Sequence, residues 1–329
     1  MRVPGVIRVI SAGAVALTAA GCDSSTGPLT DLSDLGAELT LVDTIFTSPI
    51  VRSLGYFPLV VPLPPPAAGA PLVPDSLLGK TMAGSCTTQR YAVTNDSGAP
   101  ATGVRFLLYE LAPAGSIPCP ATAIGQLDLF DASTTGTTAV HGTVRESGGG
   151  GQPVVDYTIT HAVGDPPAVT SASGFVSDGQ QRLVFEVSGS PGSGVNTTVS
   201  TVQLDDSAAD YHEVLHYSAM MGVDTYSDGL DLTASHAGSI AELKGSTGRF
   251  NTGRSWDETV TVDDVPLAKV GGILIPDGGQ PTITPADGRL FFTSEELAIL
   301  RDFVNAPATV RGGLYRVLGA GAHLVRIGF

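Results

Sequence analysis

The stretch "DYHEVLHYS", residues 210–218, decides the fold class of this chain, because its letters fit two different structures. In a helix, His212 and His216 lie one turn apart and can share a zinc ion, with Glu213 placed to activate the bound water. In a β-strand the two histidines are ~13 Å apart, at ~3.3 Å per residue, and Glu213 points to the opposite face. A strand therefore cannot form this zinc site.

The residue types in this stretch favour the strand. Valine, tyrosine and histidine are poor helix formers, and the alternation places both tyrosines, Glu213 and Leu215 on one side. The metzincin continuation fails, because Ala219 stands where that motif needs glycine. A helix capped by "DDSAAD" is the alternative, and it would make the chain a zinc metallopeptidase that uses His212, Glu213 and His216.

The sequence from about Lys80 onward is typical of successive β-strands. Short segments rich in Val, Thr, Ile and aromatic residues are bounded by Gly, Asp, Ser or Pro. Asp-Gly pairs at 178–179, 228–229, 277–278 and 287–288 are typical of tight hairpin turns. We therefore expect an all-β fold, an antiparallel meander of about ten or more strands. A sandwich, a curved open sheet and a barrel-like body all fit this pattern.

Helices are expected at both ends of the strand-rich region. The leucine and isoleucine spacing in "LSDLGAELTLVDTIFTSPIVRSLGYF" predicts one or two short helices. Near the end of the chain, Thr293 and Glu296 form a capping box that starts a helix, and Pro307 stops it. The residues that follow, "GGLYRVLGAGAHLVRIGF", are predicted to form a further strand pair.

The N-terminus has the pattern of a secretory signal. Arg2 and Arg8 precede an apolar run that is too short to span a bilayer and that ends in small residues. The sequence "LTAAGC" resembles the lipobox of bacterial lipoproteins, although Ala19 replaces the more usual leucine. The resemblance implies that Cys22 is lipidated and tethers an exported protein to a membrane of the bacterial cell envelope. An ordinary signal peptide with a chance cysteine is the alternative.

Two cysteines, Cys86 and Cys119, remain after Cys22. An even number of cysteines in an exported chain predicts a disulfide bond between them. Two buried free thiols, or a couple of metal ligands, are the alternative.

Changes in composition, and the prolines that interrupt secondary structure, divide the chain into six parts. Seven prolines between residues 58 and 74 exclude a helix interior and a central strand there. The predicted parts are a signal peptide (1–21), a flexible tether (22–33), a short helical segment (34–56), a Pro-rich connector (57–79), an antiparallel β domain (80–275) and a C-terminal strand-helix-strand segment packed on it (276–329).

Charge argues against several partners. The formal net charge is −15, and it becomes −17 once residues 1–21, with two arginines and no acid, are removed. A protein with this net charge should avoid nucleic acid and anionic lipid surfaces. We therefore expect membrane attachment to come from the lipid on Cys22. Asp224, Asp228 and Asp231 invite a calcium site, but a hairpin turn explains them without metal.

No Gly-x-Ser-x-Gly elbow, Ser-x-x-Lys pair or phosphate loop occurs in the sequence. We therefore expect a non-enzymatic binding or structural module, displayed from the membrane, with no cofactor and an unknown ligand. A carrier of a lipid or other apolar ligand is one alternative, and it would need a cavity lined by Val, Leu and Phe. The zinc metallopeptidase is the other.

Overall fold

The structure is a computed structural model. It describes residues 28–60, 71–113, 115–147, 151–162, 170–191, 197–206, 210–221, 225–250, 253–275 and 280–325. The predicted signal peptide, Cys22 and Asp224 lie outside these residues, as do residues 61–70 of the predicted connector.

Within the described residues, fifteen strands form one open sheet. The first eight are β1 (Lys80–Ser85), β2 (Arg90–Val93), β3 (Gly103–Tyr109), β4 (Ala123–Asp131), β5 (Thr137–Glu146), β6 (Val155–Ala162), β7 (Thr170–Ser177) and β8 (Arg182–Pro191). The others are β9 (Thr197–Asp206), β10 (Tyr211–Met221), β11 (Thr225–His236), β12 (Ser239–Phe250), β13 (Gly253–Val262), β14 (Val265–Ile275) and β15 (Thr282–Pro285).

The sheet confirms the antiparallel meander. From β3 to β15 each strand pairs with the next one in the chain, while β1 lies between β3 and β2. The β1–β3 pair is parallel and makes the sheet mixed. Of the three bodies that the sequence allowed, the open sheet is the one formed.

Three helices cover one face of this sheet. They are α1 (Pro28–Thr47), α2 (Pro49–Val60) and α3 (Ser294–Val325). Helix α3 packs on α1, α2, β5 and β6, and α1 also contacts β7, β11 and β13. In the part of the chain that the structure describes, no helix has the length and apolar character that a membrane crossing requires.

Glycines let the helices approach each other and the sheet closely. An added Cβ on Gly313 of α3 would lie 2.2 Å from Phe46 of α1. An added Cβ on Gly321 would come within 3.0 Å of the β5 and β6 side chains. The helices therefore share contacts that a larger residue would prevent.

The end of α3 differs from the sequence prediction. The capping box is confirmed, since the Thr293 amide donates to Glu296 Oε2 at 2.6 Å and the Glu296 amide donates to Thr293 Oγ1 at 3.2 Å. The stop at Pro307 and the strand pair after it are wrong, because α3 continues to Val325. Proline removes one helical hydrogen bond, and the burial of Val310, among other residues beyond it, compensates for that loss.

Two other boundaries differ from the prediction. Helix α1 begins at Pro28, inside the predicted flexible tether of residues 22–33, and α2 extends to Val60, inside the predicted connector. Strands β1 and β7 were not predicted, because each is rich in Ser, Gly and Ala. The division of the chain into domains stays a prediction.

The predicted disulfide is confirmed. Cys86 and Cys119 are bonded, with their Cα atoms 5.4 Å apart. Gln89 ties the same loop together, since its Nε2 donates to the carbonyls of Cys86 at 2.6 Å and Ile117 at 3.0 Å. This crosslink joins the turn after β1 to the segment that precedes β4.

The two adjacent glycines of α3 give a matched test of the helix packing. Gly313→Ala should lower the free energy of unfolding by about 1–3 kcal/mol, because the new methyl group overlaps Phe46. Gly312→Ala should be neutral or raise it by up to about 1 kcal/mol, because only the flexible end of Arg316 is near and alanine favours helix. Chemical denaturation of both variants measures the difference. Equal effects would contradict the close contact between α1 and α3.

Candidate functional site

The stretch "DYHEVLHYS" lies in a strand, as predicted. In β10 the two histidines point to the outer face, away from the helices. His212 Nδ1 contacts Asp205 Oδ1, and His216 Nδ1 lies 3.1 Å from Thr201 Oγ1. Glu213 points to the inner face and is 1% exposed.

This geometry separates the three residues of the metallopeptidase motif. The helical turn that would place His212 and His216 on one metal ion is not formed in β10. Among the residues described by the structure, no group of three or more His, Cys, Asp and Glu side chains is arranged to hold a metal ion.

The structure also separates two of the aspartates that were considered as calcium ligands. Asp228 faces inward and is 9% exposed, whereas Asp231 faces outward, with Lys244 Nζ 4.0 Å from one of its oxygens. The two described aspartates therefore lie on opposite faces of β11.

The inner face of β9 to β13 has an apolar middle. Leu215, Leu232 and Leu243 are directly opposite one another on β10, β11 and β12, and all three are fully buried. Val202 and Val260 extend this row onto β9 and β13. Polar side chains lie on both sides of the row, and each side forms a separate group.

The first polar group is the α1 acid cluster: Glu38 of α1 with Asp206, Tyr211, Glu213 and His236 of the sheet. The Tyr211 hydroxyl donates to Glu213 Oε2, and Tyr211 is directly opposite both Asp206 and His236. Burial raises the pKa of Glu38, while the charge of His236 lowers it and the charge of Asp206 raises it. The acids are thus enclosed between α1 and the sheet.

Burial dominates the electrostatics of this cluster. Removal from water raises the pKa of Glu213 to about 7, against the opposing effects of the Tyr211 hydrogen bond and the His212 charge. Burial raises the pKa of Tyr211 well above its ordinary value, and the charge of Glu213 raises it further. Glu213 Oε1 has no hydrogen-bond partner among the described residues.

The second polar group lines the α3 cleft, an opening of about 550 Å³ between α3 and strands β10 to β13. Its apolar wall is formed by Tyr217, Leu230, Trp256, Val304, Pro307 and Ala308. Its polar wall is formed by Asp228, Thr247, Gly248, Arg254, Glu258, Asn305 and Arg311. A mixture of apolar surface and a few polar groups is typical of sites for small organic ligands.

Glu258 is the most unusual group of the α3 cleft. It is 3% exposed, and its Oε2 has no hydrogen-bond partner within the described part of the chain. Burial raises the pKa of Glu258 to about 7. A buried carboxyl oxygen without a partner costs free energy, which makes Glu258 a candidate binding group.

Asp228, the second acid of the cleft, is already paired. It accepts a hydrogen bond from the Tyr217 hydroxyl, and Arg311 Nη1 lies 3.8 Å from its Oδ2. The Arg311 guanidinium also stacks over the Tyr217 ring, 3.7 Å from the ring centroid. These contacts link α3 to β10 and β11 at one side of the cleft.

The strand register explains how the cleft is assembled. Tyr217, Leu230, Gly245 and Glu258 are directly opposite one another on four neighbouring strands. In the next row, Asp228, Thr247 and Trp256 are opposite in the same way. Gly245 lets β12 and β13 approach closely at this row, since an added Cβ would lie 2.1 Å from the Asp257 carbonyl oxygen.

Glu258, Trp256 and Arg311 were not among the residues predicted from the sequence. One signal for Glu258 was available, because in "GRSWDETVTV" it alternates with Trp256, Val260 and Val262. An acid in the inward register of an apolar strand is worth attention, since burial of an unpaired carboxylate is costly. Arg311 was missed because the predicted helix ended at Pro307, before the turn that carries it.

No protein-family model, curated protein or solved structure matches the chain.

The buried Glu213 predicts an unusual dependence of stability on pH. Folding raises its pKa from 4.5 to about 7, so the folded state binds a proton more tightly than the unfolded state. The contribution of Glu213 to the free energy of unfolding is therefore greatest below pH ~4.5, and it is lost as the pH rises through about 7. Glu213→Gln should remove this loss and raise the free energy of unfolding by up to about 3 kcal/mol above pH 7.

Thermal unfolding of the wild type and the variant at mildly acidic and mildly alkaline pH measures this effect. Glu186→Gln, on the outer face of β8, removes the same charge from an exposed position and serves as the control. A Glu213→Gln variant that shows the wild-type pH dependence would contradict the burial of a strained carboxyl.

Proposed function

We propose that this protein is a lipoprotein of the bacterial cell envelope, exported and held at a membrane by lipid on Cys22. Its folded body acts as a non-enzymatic binding module, and the α3 cleft is its binding site. The observation that carries this proposal is the cleft itself, where the buried Glu258 presents a carboxyl oxygen without a hydrogen-bond partner in the described structure.

The anchor rests on the sequence. The charged start, the short apolar run and "LTAAGC" resemble a lipoprotein signal, and the strongly acidic net charge disfavours binding to anionic lipids. Lipid on Cys22 would be followed by only a few residues before α1 begins at Pro28. The tether is therefore shorter than residues 22–33, and it would hold the helix-covered body close to the membrane.

The binding site rests on the geometry of the cleft. Apolar side chains of the sheet and of α3 face each other across it, and the polar groups are few and distinct. The carrier of an apolar ligand, considered from the sequence, would have to use such a cavity, but the charged groups of this one favour a ligand with a polar end. The strand geometry of His212 and His216 gives no support to the metallopeptidase.

The anchor is tested by Cys22→Ser, expressed in a bacterial host. The variant should leave the membrane fraction, because it cannot carry the lipid. A double variant, Cys86→Ser with Cys119→Ser, keeps Cys22 and should stay with the membrane. Fractionation with mass spectrometry of the mature N-terminus gives the readout. Membrane association of a normally cleaved Cys22→Ser protein would refute the anchor.

The proposed binding site is tested by ligand titration and by a substitution that fills the cleft. Trp256 is the chain's single tryptophan, so its fluorescence reports directly on the cleft. We expect at least one of a panel of phenylalkyl amines, alcohols and carboxylates to change this fluorescence saturably. Ala308→Phe, at an exposed residue of the cleft wall, should weaken that binding by roughly tenfold or more, because the ring occupies the ligand volume.

The matched control is Ala298→Phe, which makes the same substitution at an exposed position of α3 outside the cleft. It should bind as the wild type does. A panel without any saturable response, or equal binding by the Ala308→Phe and wild-type proteins, would contradict the proposed site.

A further inference from the structure

Two acidic side chains line the α3 cleft, and only one of them is paired with a positive charge among the described residues. Asp228 is neutralised by Arg311, which also stacks on Tyr217. Glu258 has no such neighbour: no ion pair or hydrogen bond to its side chain is present among the described residues, and one oxygen is wholly enclosed. A ligand that enters the cleft therefore meets one carboxyl group whose interactions are incomplete.

The surroundings of Glu258 restrict which ligand can complete the interactions of its carboxyl group. Leu230 lies two strands away in the same row, Gly245 between them contributes no side chain, and Trp256 is the next inward residue of β13. The space in front of the carboxyl is thus bounded by apolar surface. A hydrogen-bond donor placed there must be attached to a molecule that tolerates this surface.

A positive donor fits better than a neutral one. A charge-assisted hydrogen bond to a carboxylate is roughly twice as strong as a neutral one, and its strength increases in a site that excludes water. Aromatic walls favour the same ligand, since a cation is attracted to the face of a Trp or Tyr ring. An anion in the same space would lie beside the Glu258 carboxylate, which repels it, although Arg254 and Arg311 also line the cleft.

We infer that the α3 cleft binds an organic amine, whose ammonium group donates to Glu258 and whose apolar body lies against Trp256, Leu230 and Val304. This inference rests on the proposed binding function and assigns its ligand class. A cavity of about 550 Å³ accommodates a molecule with a single ring and a short chain.

Three probes of the same shape test the assignment: 2-phenylethylamine, 2-phenylethanol and 3-phenylpropanoate. They present a cation, a neutral hydroxyl group and an anion on the same phenylalkyl body. Titrations followed by Trp256 fluorescence, at a slightly alkaline pH, should show the amine binding roughly tenfold more tightly than the alcohol. The carboxylate should bind most weakly.

The role of Glu258 is tested by Glu258→Gln, which keeps the shape of the side chain and removes its charge. The variant should lose roughly tenfold in affinity for the amine and retain its affinity for the alcohol. Asp257→Asn removes the same charge from the neighbouring residue, which is exposed on the outer face of β13, and should bind the amine as the wild type does. Thermal unfolding confirms that both variants are folded.

The outcomes separate the inference from the proposed function. If the alcohol or the carboxylate binds as tightly as the amine, and Ala308→Phe weakens that binding, the cleft is a binding site but the amine assignment is wrong. Equal amine binding by Glu258→Gln and the wild type would also overturn the assignment. If none of the probes changes the fluorescence of Trp256, both proposals fail together.

Discussion

The apolar inner face of the sheet is the constraint on which the rest of the structure depends. Leu215, Leu232 and Leu243 form a buried row across three strands, and such a row is stable only when other apolar surface removes it from water. The cover comes from both ends of the chain, since α1 and α2 precede the strands and α3 follows them. The sheet therefore cannot complete its core until the last helix is present.

The helical cover also determines where polar groups are buried. The α1 acid cluster is enclosed beneath α1, and the α3 cleft opens beside α3, with the leucine row between them. In both places burial raises the pKa of a glutamate, Glu213 or Glu258, to about 7. The difference lies in access: Glu213 is buried beneath α1 and accepts a hydrogen bond from Tyr211, whereas Glu258 lines an open cleft.

Much of this fold follows from period-two patterns, which predict strands well when one face is buried. The alternation in "DYHEVLHYS" correctly predicted β10 and the opposite directions of Glu213 and the two histidines. The same type of argument failed after Pro307, because inward residues such as Val310, Leu314 and Val317 recur at helical spacing and the glycines between them suit close packing. The cleft could not be predicted, since it needs the register of four strands and the position of α3.

The overall charge and the local charge of the cleft act on a ligand in different ways. A formal net charge of −15 attracts cations over a distance of about a Debye length, roughly 10 Å in ordinary buffers, but it does not select among them. A small hydrated ion gains little there, because it buries no apolar surface and Asp228 is already paired with Arg311. An amine with an apolar body gains apolar burial as well as the Glu258 contact, and only the sum of the two offsets the desolvation of its ammonium group. On the proposed function, selectivity therefore arises from joining both groups in one molecule.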